Sequence, residues 1–296
     1  MGQTGYRVQL LAPAHAGTLV SEVPTLEDPE LHDHYLSSLQ CLRAQAYLED
    51  GAIEPWQIDN RGRFWMDGDE ESWHFLLVND ANRAIACLRL LLHENTISFD
   101  QLRLTRSHLA NDPVWGAKLR TAVEADLVEA RQQNIGYAEL GGWAIDADYR
   151  CTKAALETLL ASYAWGQIVG DCLSSCTATV RHRSAMILRR LGGKSLTANG
   201  EIIPSYHDPH YGCQMEILRF DSRDIDNRFV RLVRETRQQL ESSTVIRTCS
   251  SPVAELKEQL SIRRSLLALG EATRQRTRTV RQEDFAPAPE RTRTPS

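Results

Sequence analysis

Two short apolar runs separated by a turn limit most tightly how this chain can fold. Residues 73–78 (WHFLLV) and 84–92 (AIACLRLLL) are almost continuously apolar, and Asn79, Asp80 and Asn82 lie between them. Runs of this length bounded by turn residues are typical of buried strands. The pattern therefore predicts two neighbouring strands in the interior of a sheet, joined as a hairpin.

The chain then alternates between strand-like and helix-like segments. Strands are predicted at 137–145, 173–180 and 214–220, and helices at 116–133, 151–169 and 181–191. An earlier helix is predicted within 26–50, and the acidic segment 54–72 is predicted to be a loop with at most a short strand at 63–66. This order predicts an α/β fold with a mixed, mostly antiparallel sheet flanked by helices.

Composition and periodicity divide the chain into four parts. Residues 1–25 form an N-terminal segment with room for one short strand, and residues 26–222 form the main domain. Residues 223–270 form a C-terminal extension with helices predicted at 225–241 and 253–268. Residues 271–296 are rich in Arg, Pro and Thr and poor in apolar residues, which predicts a disordered tail.

Charge and cysteine usage exclude several classes of protein. The net charge is −5, whereas nucleic-acid-binding proteins are usually basic. There is no run of about 18 apolar residues, so no integral membrane segment is predicted. The 7 cysteines include no CxxC pair, which argues against both a zinc site and a disulfide framework. Buried free thiols, no metal and a cytoplasmic location are expected.

The strongest local signal is the segment 137–155 (YAELGGWAIDADYRCTKAA), a strand with one acid followed by a turn and a helix. Backbone N–H groups at a helix start are unpaired and attract phosphate, and Arg150 adds a positive charge there. A plain crossover with a surface arginine is the alternative interpretation of the same residues.

The turn 150–155 (RCTKAA) resembles the motif Q/R-x-x-G-x-G/A of GNAT acyltransferases, with Lys153 where that family has glycine. Glu139-Leu140 with Trp143-Ala144-Ile145, and 87–91 (CLRLL), resemble two strands of acyl-homoserine-lactone synthases. Gly141-Gly142 stands in place of the Ser-Arg pair of those synthases.

A closer resemblance, over residues 35–222, is to N-acyl amino acid synthases and exosortase-associated acyltransferases. It is carried by Thr177-Ala178-Thr179, Arg181-His182, Ser184-Ala185, 188–192 (LRRLG), and the Tyr206, Tyr211 and Met215-Glu216 spacing. The resemblance implies a GNAT fold over residues 26–222 and an acyltransferase activity.

The catalytic residues implied are Glu139, Arg89 and Gly142. Glu139 would be the general base, because burial should raise its pKa toward a useful value. Arg89 would orient the carboxylate of Glu139 or Asp67. The backbone N–H beside Gly142 would stabilise the developing oxyanion of the thioester carbonyl. The alternatives are a structural ion pair between Glu139 and an arginine such as Arg89, and a simple β-bulge at the glycines.

The remaining candidates fall into two sets. Residues expected to bind the donor are Trp143, Ala144, Ile145, Arg150, Thr152, Lys153, Ala154, Ala155, Thr177 and Arg181. Residues expected to bind substrate are Arg43, Trp56, Asp67, Thr179, Tyr206 and Tyr211. The first three would form the acceptor pocket, where Arg43 would bind the carboxylate of an amino acid and Asp67 an ammonium group. Thr179 would contact the polar end of the acyl chain or the pantetheine amides, and the two tyrosines would line the acyl channel. A basic cluster around the helix at 181–191 (Arg181, His182, Arg183, Arg189, Arg190, Lys194) would suit an acidic acyl carrier protein, although solvated helix faces are often equally charged.

The expected function is transfer of a medium or long acyl group from acyl carrier protein or acyl-CoA to the amine of an amino acid or related small molecule. The amine attacks directly, so no cysteine forms a covalent intermediate. An acetyl-CoA-dependent acetyltransferase and an inactive domain that only binds an acyl carrier are the alternatives. A carrier protein and a small amine are the expected partners, and no nucleic acid is expected.

Overall fold

A computed structural model of the chain describes residues 5–14 and 23–248. The strands are β1 Tyr6–Leu11, β2 Thr25–Glu27, β3 Trp73–Asn79, β4 Ala84–His93, β5 Gly136–Ile145, β6 Cys172–Thr179, β7 Lys194–Ser195, β8 Thr197–Ala198, β9 Glu201–Ile202, β10 Tyr206–Asp208, β11 Cys213–Asp221 and β12 Val245–Arg247. The α-helices are α1 Pro29–Glu49, α2 Trp115–Gln133, α3 Ala154–Ile168, α4 Ser184–Arg190 and α5 Val230–Glu241.

The main sheet runs in the order β10-β11-β6-β5-β4-β3-β1-β12-β2, and β7 also pairs with β11. The predicted hairpin is confirmed, since β3 and β4 pair antiparallel with Phe75 opposite Leu88. Three neighbouring pairs are parallel: β5 with β6, β1 with β12, and β12 with β2. The predicted mixed, mostly antiparallel α/β sheet is therefore confirmed, with the parallel pair β5–β6 at its centre.

Several predicted boundaries move for local reasons. The helix predicted from residue 151 begins at Ala154, because Cys151 has a φ of 62° and cannot continue a right-handed helix. The helix predicted over 181–191 divides into a 3-10 turn at Arg181–Arg183 and then α4. The helix predicted from residue 225 begins at Val230, and residues 63–66 form no strand.

Strand β12 lies outside every sequence prediction. It pairs with both β1 and β2, and Val245 and Ile246 are almost fully buried beside Leu10 and Leu11. Residues 253–268 and 271–296, for which a helix and a disordered tail are predicted, lie outside the described residues.

The two faces of the sheet carry different helices. Helices α3 and α5 cover one face, where Leu88, Leu90 and Trp165 belong to one core cluster. Helices α1 and α2 cover the other face with separate core clusters. In the part of the chain that is described, no helix is long and apolar enough to cross a membrane.

Candidate active site

The two central parallel strands separate partway along their length. β5 and β6 are paired from Gly136 opposite Cys172 to Leu140 opposite Cys176, and there the pairing ends. Both strands continue, β5 to Ile145 and β6 to Thr179. Between the two continuing segments the sheet is open, and a small molecule can approach strand backbone in its interior.

A cavity of about 740 Å³ occupies this opening and reaches both faces of the sheet. Successive strand residues point to opposite faces, so β6 contributes Cys176 and Ala178 to one side and Ser175 and Thr177 to the other. The apolar side, which belongs to the core under α3, is lined by Leu88, Leu140, Leu159, Cys176, Ala178 and Leu188. The polar side is lined by Asp67, Arg89, Arg103, Glu139, Ser175 and Thr177.

A buried ionic cluster lies beneath the polar side. Arg43 is fully buried and binds Asp69 through both carboxylate oxygens, with Nη1 2.8 Å from Oδ1. Arg89 Nη1 lies 3.4 Å from the same Oδ1 and donates to the carbonyl oxygen of Asp67 at 2.6 Å. Burial would raise the pKa of Asp69, but the Arg43 guanidinium outweighs it and holds this pKa at about 2.

Glu139 lines the cavity but is already fully engaged. Its carboxylate accepts from His93 Nε2 at 3.0 Å, from the backbone N–H of Arg103 at 3.0 Å and from that of Leu104 at 2.7 Å. Burial raises the pKa of Glu139, but these three donors outweigh burial and lower the pKa below its ordinary value. The expectation of a raised pKa is therefore wrong.

The alternative expectation for Glu139, an ion pair with Arg89, is also corrected. The basic partner of Glu139 is His93, and Arg89 pairs with Asp69. The two backbone donors begin the 3-10 turn Arg103–Arg106, so Glu139 caps that turn as a side-chain acceptor. The carboxylate thereby holds the part of the cavity wall that carries Arg103 and Arg106.

The glycine pair lies where β5 bulges against β4. The register shifts between Cys87 and Arg89, and Gly142 has a φ of 64°. A Cβ on Gly142 would lie 3.0 Å from Arg43 Nη1 and 3.3 Å from Arg89 Cγ. Only glycine fits this conformation easily, and it leaves the backbone at Gly142 facing the cavity.

The residues predicted to bind the donor are divided between the cavity and its surroundings. Trp143, Thr177 and Arg181 line the cavity, and Trp143 Nε1 is buried with no hydrogen-bond partner among the described residues. Ala144 and Ile145 pack into the cores on either side of β5.

The predicted phosphate turn lies outside the cavity wall, at the start of α3. Arg150 pairs with Glu49 at 3.0 Å and Lys153 with Glu157 at 2.9 Å. Thr152 Oγ1 accepts from the backbone N–H of Ala154 at 3.2 Å, and Ala155 follows in the first turn of the helix. The positive charges at this turn are thus partly neutralised within the protein.

Four of the six residues predicted to bind substrate line the cavity: Asp67, Thr179, Tyr206 and Tyr211. Arg43 lies behind the wall, where Asp69 occupies its guanidinium, and Trp56 is 80% exposed and does not line the cavity. The structure therefore does not place these last two at the cavity wall.

Sequence reasoning missed Asp69, which joins Arg43 to Arg89, and the wall residues Tyr47 and Arg103. Asp69 lies two residues after Asp67 in an acidic segment, and local pattern does not distinguish the buried acid from its neighbours. Asp67 is half exposed and binds Arg103 at 3.3 Å and also Arg106. These ion pairs hold the predicted loop against the 3-10 turn.

The predicted basic cluster is partly neutralised. Arg189 pairs with Glu216 at 2.7 Å and Lys194 with Asp224 at 2.5 Å. Arg181 donates to the backbone oxygen of Asp50. Across residues 5–14 and 23–248, no group of three or more His, Cys, Asp or Glu side chains is placed to hold a metal ion.

No protein-family model matches the chain, and no curated protein matches it in sequence. Solved structures similar to it include acyl-homoserine-lactone synthases and an N-acyl amino acid synthase, the groups that its motifs resemble.

Three of these structures can be named. The synthase LasI is 15% identical, with 74% of this chain and 91% of LasI covered and a TM-score of 0.43. The CoA-dependent synthase BjaI, solved with SAM and isopentyl-CoA, is 11% identical, with 86% and 100% covered and a TM-score of 0.46. The N-acyl amino acid synthase FeeM from uncultured soil microbes is 12% identical, with 74% and 92% covered and a TM-score of 0.42.

Proposed function

We propose that this protein is an N-acyltransferase that moves a medium or long acyl group from a thioester to the amine of an amino acid or related small molecule. The observation that carries the proposal is the cavity that crosses the sheet where β5 and β6 separate. Its apolar side suits an acyl chain, its polar side suits a charged acceptor, and the open strand backbone lies between them.

The apolar side favours a long chain over an acetyl group. Each methylene buried there contributes about 0.8 kcal/mol, and an acetyl group would be too short to use most of the apolar wall that includes Leu159 and Leu188. This is the feature that separates our proposal from an acetyl-CoA-dependent acetyltransferase. The thioester carbonyl would lie at the opening, with the acyl chain pointing toward α3.

In the proposed reaction, the neutral amine nitrogen attacks the thioester carbonyl carbon and a C–N bond forms. The carbonyl oxygen becomes an oxyanion, which the backbone beside Gly142 would stabilise. The C–S bond then breaks, and the leaving thiolate takes the proton released by nitrogen. Holding both reactants at the opening supplies much of the rate enhancement.

We assign Glu139 a positioning role in this scheme. A carboxylate whose pKa is lowered is a weak base toward an ammonium group, and its oxygens already accept three hydrogen bonds. The acceptor would lose its ammonium proton to water before it attacks. Glu139 would keep the turn at Arg103–Arg106 in place.

Either acyl-CoA or acyl carrier protein would serve as donor. The start of α3 offers helix N–H groups and Arg150 to a phosphate, and Trp143 Nε1 offers a free donor to an amide carbonyl of the pantetheine arm. The exposed arginines beside α4 would contact a carrier protein. We also propose a cytoplasmic location, in keeping with the free cysteines of the described chain.

The test is thioester consumption, followed as free-thiol release, with palmitoyl carrier protein, palmitoyl-CoA and acetyl-CoA against a pool of amino acids. We expect release that depends on the amine and is faster with a palmitoyl donor. Glu139→Gln should reduce it, because an amide cannot accept from all three donors, whereas Glu124→Gln on the exposed face of α2 should not.

Two outcomes would contradict the proposal. Faster release with acetyl-CoA would favour an acetyltransferase. Tight binding of acyl carrier protein with no release for any amine would favour a domain that only binds the carrier.

A further inference from the structure

The ionic cluster beneath the cavity has one more positive charge than its acids can balance. Arg43 and Arg89 share the single carboxylate of Asp69, and Arg43 engages both oxygens. Burial lowers the pKa of His74 to about 4, so this neighbour is neutral near pH 7 and adds no charge to the cluster. Glu139 gives its oxygens to His93 and to backbone N–H groups instead.

The excess charge lies on Arg89, at the cavity wall. Arg89 is only 9% exposed, and burial lowers the pKa of its guanidinium, which reflects the cost of keeping a charge there. Its Nε is buried and has no hydrogen-bond partner among the residues described. A buried donor on an uncompensated cation favours an anionic ligand.

Gly141 leaves the space beside this donor open. A Cβ at Gly141 would lie 3.6 Å from Arg89 Nε and would meet no other atom of the described chain within 4 Å. Because glycine has no side chain, this space is not filled by the described part of the protein. The arginines of the neighbouring 3-10 turn have two acids between them, since Arg103 and Arg106 both bind Asp67 and Arg103 also lies 3.7 Å from Glu71. An anion entering the polar side therefore meets Arg89 next to the glycine pair, where the thioester carbonyl is proposed to lie.

Building on the proposed function, we infer that Arg89 binds the carboxylate of the acceptor and that the enzyme selects amines bearing a free carboxylate, such as α-amino acids. In an α-amino acid one carbon separates carboxylate from amine, so a carboxylate on Arg89 places the amine beside Gly142. The role that sequence reasoning gave to Arg43 belongs to Arg89, because Asp69 occupies Arg43.

The experiment compares each amino acid with its own carboxamide on the unaltered enzyme, with palmitoyl-CoA as donor. We expect kcat/KM to fall by roughly 10- to 100-fold for the carboxamide, mostly through KM, because a charge-assisted hydrogen bond is lost. A carboxamide also lowers the pKa of the neighbouring ammonium group, so more amine is neutral. That effect alone would make the carboxamide the better acceptor.

Two variants complete a cycle. Arg89→Gln should lower kcat/KM for the amino acid by a larger factor than for the carboxamide, so that the preference for the free carboxylate is lost. Arg120→Gln, which removes an exposed arginine of α2, should keep the full preference. Far-ultraviolet circular dichroism and thermal unfolding establish that each variant is folded.

Three results would overturn the inference. Equal use of amino acids and carboxamides by the unaltered enzyme would mean that no carboxylate is recognised. An equal fall in kcat for both acceptors in Arg89→Gln would assign Arg89 to the oxyanion instead. Absence of thiol release with every amine would remove the proposed function itself, and is distinguishable because no acceptor of either kind would react.

Discussion

At the scale of single residues, the two glycines of β5 have different structural roles. Gly142 adopts a left-handed conformation with two arginines close to where a side chain would begin, whereas Gly141 has ordinary backbone and a single contact at 3.6 Å. Adjacent positions of the same residue type therefore provide a matched pair for substitution.

We predict that Gly142→Ala destabilises the protein and lowers acyl transfer, while Gly141→Ala changes stability little. A non-glycine residue in the left-handed region costs about 1–2 kcal/mol, and the crowding at Arg43 and Arg89 adds to it. The measurements are urea unfolding and thiol release for both variants. Equal stability of the two variants would show that the bulge relaxes around a side chain.

His74 predicts a dependence of stability on pH. Its Nε2 donates to the carbonyl oxygen of Asp69 at 2.7 Å, and burial lowers its pKa from 6.5 to about 4. Between these values the unfolded chain binds a proton that the folded protein does not, so stability falls as the pH falls from 6.5 to 4. The total is about 3 kcal/mol.

His74→Gln should therefore flatten the stability curve between pH 6.5 and 4, because its amide can donate to the same carbonyl without titrating. Denaturant unfolding at pH 7, 5.5 and 4.5 measures this. An unchanged slope in the variant would assign the pH dependence to other groups. The fall contributed by Asp69, between pH 3.8 and about 2, should remain in both proteins.

The sequence predicts which residues lie at the site more accurately than it predicts the hydrogen-bond partners and pKa of each residue. Glu139 and Arg89 are both at the cavity, as expected. The partners of Glu139 are two backbone N–H groups and His93, from segments 35 to 46 residues away, and no local pattern reveals them. The lowered pKa of Glu139 depends on those partners, so it could not be predicted either.

At the scale of elements, β6 presents opposite chemistry on its two faces. Ala178 belongs to the apolar side of the cavity and Thr177 to the polar side. Neighbouring residues of a strand point in opposite directions, so a leucine at either position adds similar bulk to a different side.

We predict that Ala178→Leu shifts the donor preference toward shorter chains. Losing room for about two methylenes, at about 0.8 kcal/mol each, should lower kcat/KM for palmitoyl-CoA roughly tenfold while sparing butanoyl-CoA. Thr177→Leu, on the opposite face, should affect both donors alike. A loss shared equally by both donors in Ala178→Leu would mean that the acyl chain lies elsewhere.

The strands with the longest apolar runs match their predicted bounds to within one residue, because a nearly continuous apolar run bounded by turn residues is a strong local signal. Elements whose position depends on distant partners were not. β12 has three residues, and only its pairing with β1 and β2 makes it a strand. The separation of β5 from β6 is likewise a relation between segments more than 30 residues apart.

At the scale of the whole molecule, the chain after residue 222 returns to the sheet. Helix α5 packs on α3, and β12 lies between β1 and β2. Val233, Leu240, Val245 and Ile246 are each at most 2% exposed. The division at residue 222 stays a prediction, and these contacts give a way to test it.

We predict that a chain ending at residue 222 does not fold, whereas one ending at residue 248 unfolds cooperatively. Four buried apolar side chains at about 2 kcal/mol each amount to about 8 kcal/mol, which is comparable to the whole stability of a typical domain. Thermal unfolding followed by circular dichroism compares the two chains. A cooperative transition in the shorter chain would make residues 223–248 an independent addition.

The gap between β5 and β6 also has a consequence for how a product leaves. An acylated amino acid made here would cross the sheet, with its acyl chain on the apolar face and its carboxylate on the polar face. If the product leaves from the polar face, its acyl chain must pass back through the opening between β5 and β6 and lose its contacts with the apolar side of the cavity. Products with longer acyl chains should then dissociate more slowly. Product release, rather than acyl transfer, would limit kcat for the donors that bind most tightly.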